Sequence, residues 1–147
     1  MKLVDGDETI VLVIAADLEP GHLDREMATR LKEEIDTRGA GHPYRRAVIV
    51  SDLAWFETPL FHLSPTIAIG GPGVNGVSGR LAGELPTVWA EAERATIQAT
   101  MQDGPRRAAL WGLDRQATAG AVDAFIARGW LDEFLDRSWR YRAGTFV

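Results

Sequence analysis

The apolar positions of this chain fall into short continuous runs, helical stripes and one strict alternation. Ile10-Val11-Leu12-Val13-Ile14-Ala15-Ala16 is unbroken and rich in β-branched residues, the pattern of a strand covered on both faces. Asp17 closes it, and Glu19-Pro20-Gly21 signals a turn. Leu23, Met27, Leu31 and Ile35 then recur every four residues, which predicts an amphipathic helix stopped at Gly39. Ala47-Val48-Ile49-Val50 is a second buried run, ended by Ser51-Asp52. This β-α-β order over residues 10–51 predicts parallel pairing through a right-handed crossover, with strand 10–16 in the centre of the sheet.

Further along, Pro59 and Pro65 interrupt the apolar stretch 53–65, leaving a short helix or an ordered loop that covers one sheet edge. Thr66 to Ile69 reads as the third strand and residues 76–84 as a short helix. Val88, Ala92, Ala95 and Ala99 fit a helix, but Ala95, Ile97, Ala99 and Met101 alternate with Thr96, Gln98, Thr100 and Gln102. Followed by Asp103-Gly104-Pro105, that alternation predicts a strand and a hairpin, with Thr87 to Ala90 as a separate short strand. Arg107 to Leu113 is the next strand. Asp114 then caps a helix whose buried face is Thr118, Ala121, Val122, Phe125 and Ile126, ending at Gly129. Trp130, Leu131, Phe134 and Leu135 make a short second helix. The expected fold is a single three-layer, Rossmann-like α/β domain over 1–147, its sheet mostly parallel with an antiparallel portion near 87–113.

Composition narrows the classes of function. A net charge of −5 over 147 residues argues against a nucleic-acid binder held by phosphate contacts. The chain has no cysteine, which excludes disulfides, thiolate metal sites and cysteine nucleophiles. The segment Met1 to Glu8 is too acidic for a secretory signal, and the run 10–16 is far shorter than a membrane span. A cytoplasmic location with no membrane partner is the expectation.

The candidate chemistry centres on Gly70-Gly71-Pro72-Gly73-Val74-Asn75-Gly76, where a strand runs through glycines into a helix. Such a turn leaves backbone N–H groups pointing at one spot, the usual anion site of α/β proteins. Asp17 and Asp52 each end a parallel strand, on the edge where open α/β sheets bind ligands, and two carboxylates there could hold Mg²⁺. The candidate ligand-binding set is therefore Asp17, Asp52, Gly70, Gly71, Gly73, Asn75, Gly76 and Ser78, with the N–H groups of Asn75 to Ser78 turned into a concavity beside Asp17 or Asp52. The alternative is a glycine turn that only packs the helix on the sheet. Gly71 to Gly76 satisfies G-x-G-x-x-G, but after the third strand rather than the first. Glu91 or Glu93 would have to take the ribose role from a hairpin. His22, His42 and His62 have no metal-ligand spacing and read as solvated loop residues, and no serine sits in a G-x-S-x-G elbow.

Of the five tryptophans, Trp89 and Trp111 are expected in the core, whereas Trp55, Trp130 and Trp139 lie near element ends, where aromatics mark interfaces. The basic, aromatic tail from Arg137 to Val147 is expected to pack either across its own domain or on a second subunit, with a homo-oligomer favoured.

Ala68-Ile69-Gly70-Gly71-Pro72-Gly73-Val74-Asn75 resembles the GGPxVN element of modules found in archaeal surface-layer-type and related uncharacterised proteins. Ala109 to Asp114 followed by Gln116 to Val122 resembles the second part of that pattern, a strand running into a glycine, an acidic position and an alanine-rich helix. The resemblance covers residues 66–128; the chain has none of the surface-layer repeats or anchors. It implies a Rossmann-like fold and no catalytic residues. Two functions follow. The first is a non-enzymatic binding or assembly module whose glycine loop either recognises a small anionic ligand or serves only to pack the fold. The second is an enzyme acting on a nucleotide or phosphorylated metabolite through Asp17 and Asp52. The lack of a histidine, lysine or cysteine placed as acid, base or nucleophile favours the first.

Overall fold

The computed structural model describes residues 8–92, 94–100 and 105–144. Its centre is a six-stranded sheet: β1 (Ile10–Ile14), β2 (Ala47–Ser51), β3 (Thr66–Ile69), β4 (Thr87–Glu91), β5 (Ala95–Thr100) and β6 (Arg107–Gly112), in the order β2-β1-β3-β6-β5-β4. The first four strands of that order are mutually parallel, and β5 and β4 are antiparallel additions. The fold is the expected α/β architecture. β1 is interior and buried at all five positions, as its continuous apolar run requires. β2 is the edge strand instead of a second fully buried one, which leaves Val48, Ile49 and Val50 half-buried.

Alternate side chains of the strands feed two cores. Ile10, Leu12, Ile67, Ile97 and Leu110 lie beneath α1 (Leu23–Arg38), α4 (Arg115–Ala127) and α5 (Trp130–Gly144). Val11, Val13, Ala68 and Ala109 lie on the other face, under Trp55 of α2 (Asp52–Glu57) and Val77 and Leu81 of α3 (Gly76–Ala82). The segment 53–65 is therefore a helix followed by a 3-10 turn (Pro59–Leu63), and it covers a face rather than an edge, because the Trp55 ring is driven into the sheet. Among the described residues no helix is long and apolar enough to cross a membrane.

β1 stops at Ile14, two residues short of the apolar run, because the Ala16 N–H turns away to bond the Asp52 carboxylate at 3.1 Å. The alternation at 95–100 forms the hairpin partner of both β4 and β6; Met101 to Gly104, including the expected turn at Asp103-Gly104, lie outside the described residues.

The tail departs most from expectation. The short helix begun at Trp130 continues to Gly144, and Trp139 is only 7% exposed. Its indole N–H donates to the Glu8 carbonyl at 2.8 Å, and Arg45 donates to the Trp139 carbonyl at 3.1 Å. This part of the tail packs on its own domain. Trp55 is likewise core, while Trp89 and Trp111, expected inside, are half-buried. Phe146 and Val147 of the tail lie outside the described residues.

Candidate functional site

β1 feeds α1 and then β2 on one side, whereas β3 lies on the other, so the strand order reverses between β1 and β3. That reversal opens a crevice at the carboxyl ends of the strands. The glycine loop sits there, and its two halves do different things.

The second half is occupied by the protein itself. Asn75 is fully buried, and its side-chain amide donates to the carbonyls of Val13 and Ile69, both at 3.0 Å. Its Oδ1 accepts from the N–H groups of Val77 and Ser78, capping α3. One side chain thus fastens the ends of β1 and β3 to the start of α3. Asp52 does the complementary task. Its Oδ1 accepts from Ala16 and Leu53, and its Oδ2 accepts from the Gly76 N–H at 2.9 Å. The spot where an anion was expected holds this carboxylate, and the N–H groups of Gly76 to Ser78 point at Asp52 and Asn75 rather than into a concavity. The Asn75 N–H bonds back to the Gly71 carbonyl at 2.9 Å. Asp17 is exposed. Ser78 is buried in α3 with its hydroxyl unpartnered among the described residues.

The first half of the loop lines an open cleft. Gly70 has φ +118°, a conformation that favours glycine, and it turns the chain away from β3. Gly71 to Val74 then form one wall. The opposite wall is Gly112 to Arg115, where β6 ends and α4 begins, with His22 and Asp24 of the α1 N-terminus at the back. The cavity is about 390 Å³, within the range of small-molecule sites. Glycine is required at 112 by contact, since a Cβ there would stand 2.3 Å from the Ala117 Cβ. The Gly112 N–H donates to the Thr118 hydroxyl at 3.1 Å, and Asp114 caps α4 by accepting from the Ala117 N–H at 2.8 Å. This leaves the N–H groups of Arg115 and Gln116 among the orphan donors that the helix cannot serve internally. The Arg115 side chain is exposed at the rim, with Val74 and Leu113 beside it.

Sequence reasoning missed the back wall. His22 accepts the Asp24 N–H on its Nδ1 at 3.0 Å, which caps α1 and puts the ring proton of the neutral form on Nε2. It is a helix cap rather than a solvated loop residue. Asp24 is 4% exposed, and its Oδ1 has no hydrogen-bond partner among the described residues. Burial pushes its carboxyl above the ordinary range, while His22 and Arg115 pull it partly back. In sequence, Asp24 reads as one of two first-turn acids on α1, with Glu26. The available signal was its place just after the turn that leaves β1, on the ligand edge of the sheet.

The ribose role considered for Glu91 has no support in this arrangement, since Glu91 is exposed on β4, the far edge strand. Glu93 lies outside the described residues. Among the described residues no group of three or more His, Asp or Glu side chains forms a metal-binding cluster. No protein-family model matches the chain, and no curated protein matches it in sequence.

Proposed function

We propose that this chain is a small-molecule-binding module, and that it holds an anionic group in the cleft between Gly71–Val74 and the start of α4. The observation that carries this reading is the meeting of a glycine turn and a 13-residue helix N-terminus, with Arg115 between them, across an open cavity at the carboxyl edge of the sheet. The helix contributes partial positive charge and unserved N–H donors, and Arg115 adds a full positive charge. The resemblance of residues 66–128 to the GGPxVN modules is in keeping with binding or assembly and supplies no catalytic residue.

This reading moves the ligand role from Asp52, Asn75, Gly76 and Ser78 to Gly71, Gly73 and the α4 N-terminus. Asp52 spends both oxygens on backbone donors, so it lacks a free face for a metal or a substrate.

The test is a thermal-shift screen with mononucleotides, dinucleotides and sugar phosphates on the natural chain and on Arg115→Ala. A ligand at a hundred times its Kd stabilises a fold by about 2.7 kcal/mol, a shift of several degrees at this size. We expect at least one phosphorylated compound to raise the melting temperature, and Arg115→Ala to weaken that compound about tenfold. Silence across the whole screen, or an effect indifferent to Arg115, overturns the assignment.

A further inference from the structure

The back wall of the cleft holds a group that the anion site does not need. Asp24 is nine-tenths buried, lines the cavity and leaves Oδ1 without a partner. Its Oδ2 lies 3.0 Å from where a Cβ on Gly70 would stand, so the carboxyl is pressed toward the very residue that starts the loop. Buried polar atoms are almost always hydrogen-bonded, and an orphaned one costs the fold stability. A first-turn acid at the N-terminus of α1 would keep its dipole interaction equally well if it faced solvent. Here it turns inward: Oδ1 is shut off from solvent, and Oδ2, which has no hydrogen-bond partner among the described residues either, is the oxygen left to the ligand-sized space. A carboxylate oxygen on such a wall with no partner in the protein is an acceptor for a donor on the ligand.

We propose that Asp24 is a specificity residue of the cleft, accepting a hydrogen bond from a hydroxyl group of the ligand. This rests on the anion-binding reading above and narrows its ligand class to hydroxylated phosphates, such as sugar phosphates and nucleotides, over bare inorganic anions. The chemistry of the walls supports the choice. Two carboxylates line the cleft, Asp24 and the Asp114 cap of α4, and Asp114 takes up only the Ala117 N–H. The anionic end therefore belongs at Arg115 and the Arg115 and Gln116 N–H groups, where a positive charge offsets Asp114, and not against Asp24. The remainder of the molecule then reaches back toward Asp24. A metal cation is disfavoured at the same spot, because Arg115 and the positive ends of α1 and α4 all face the cleft. A hydroxyl meets both demands, being a neutral donor that a carboxylate binds strongly.

The experiment is a calorimetric titration with inorganic phosphate, glycerol 3-phosphate, ribose 5-phosphate and AMP on the natural chain, Asp24→Asn, Asp24→Leu and Arg115→Ala. The expected result has two parts. The natural chain prefers at least one hydroxylated phosphate over inorganic phosphate by tenfold or more. In Asp24→Asn and Asp24→Leu that ratio falls toward one, while inorganic phosphate binds as before. Arg115→Ala, in contrast, weakens every probe together. If inorganic phosphate and the hydroxylated probes bind alike in the natural chain, or if the preference survives both Asp24 variants, the role of Asp24 is overturned and the anion site stands. If no probe binds the natural chain at all, both assignments fall. Circular dichroism of each variant separates loss of contact from loss of fold, and Asp24→Asn keeps the shape if Asp24→Leu does not.

Discussion

At the scale of single residues, three short polar side chains divide the work at the ligand edge of the sheet. Asn75 and Asp52 are bonded to the backbone through both ends of their polar groups and hold structure, whereas the Asp24 carboxyl has no hydrogen-bond partner among the described residues. The difference is one of hydrogen-bond supply, not of residue type, which is why sequence alone could not rank them. Asn75 offers two donors to two carbonyls and one acceptor to two N–H groups, a set that only Gln shares, on a side chain one methylene longer. Asn75→Asp keeps the acceptor but sets a carboxylate against the carbonyls of Val13 and Ile69. We expect it to destabilise the chain by about 3 kcal/mol in urea denaturation, with the cap itself contributing little to the loss. A change below about 1 kcal/mol would show that these bonds are made in the crevice without holding it together.

At the scale of elements, the period of the apolar pattern carried most of the fold. Uninterrupted runs gave β1 and β3, the alternation at 95–100 gave β5, and Asp114 capped α4 where expected. Two elements were illegible for physical reasons. β2 has the same composition as β1, and only the pairing partners decide which of them ends at the edge. The tail after Leu135 carries no clean helical stripe: Trp139 joins the core there, and its anchors, Glu8 and Arg45, lie far away in sequence. The Arg45–Glu8 ion pair, at 2.9 Å, packs beside this indole, and the Arg45 guanidinium lies 5.6 Å from the ring centre. We expect Trp139→Ala to cost about 3 kcal/mol, as large-to-small changes in a packed core do. An unaltered melting temperature would mean that α5 does not depend on this anchor for docking.

At the scale of the whole molecule, the place of the glycine loop could be foreseen and the cleft beside it could not. The switch-point rule, read from the β-α-β order and the glycine loop, put the loop at the carboxyl edge of the sheet, where the strand order reverses between β1 and β3. It could not say that the protein's own Asp52 would fill the anion position at α3, nor that α1 and α4 would bring two further N-termini to the neighbouring face. Those facts depend on packing between segments far apart in the chain, as in the direct contact of α1 with α4, where Arg30 pairs with Asp123. The resulting account is that the loop has a structural half, locked to β1 and α2, and a binding half, open toward α4. A titration of the ¹⁵N-labelled chain with AMP, followed by backbone amide shifts, tests this most directly. The account predicts the largest saturable shifts at Gly71, Gly73, Val74, Arg115 and Gln116, with Gly76 to Ser78 nearly still. Saturable shifts centred on Gly76 to Ser78, with the α4 N-terminus unmoved, would contradict it.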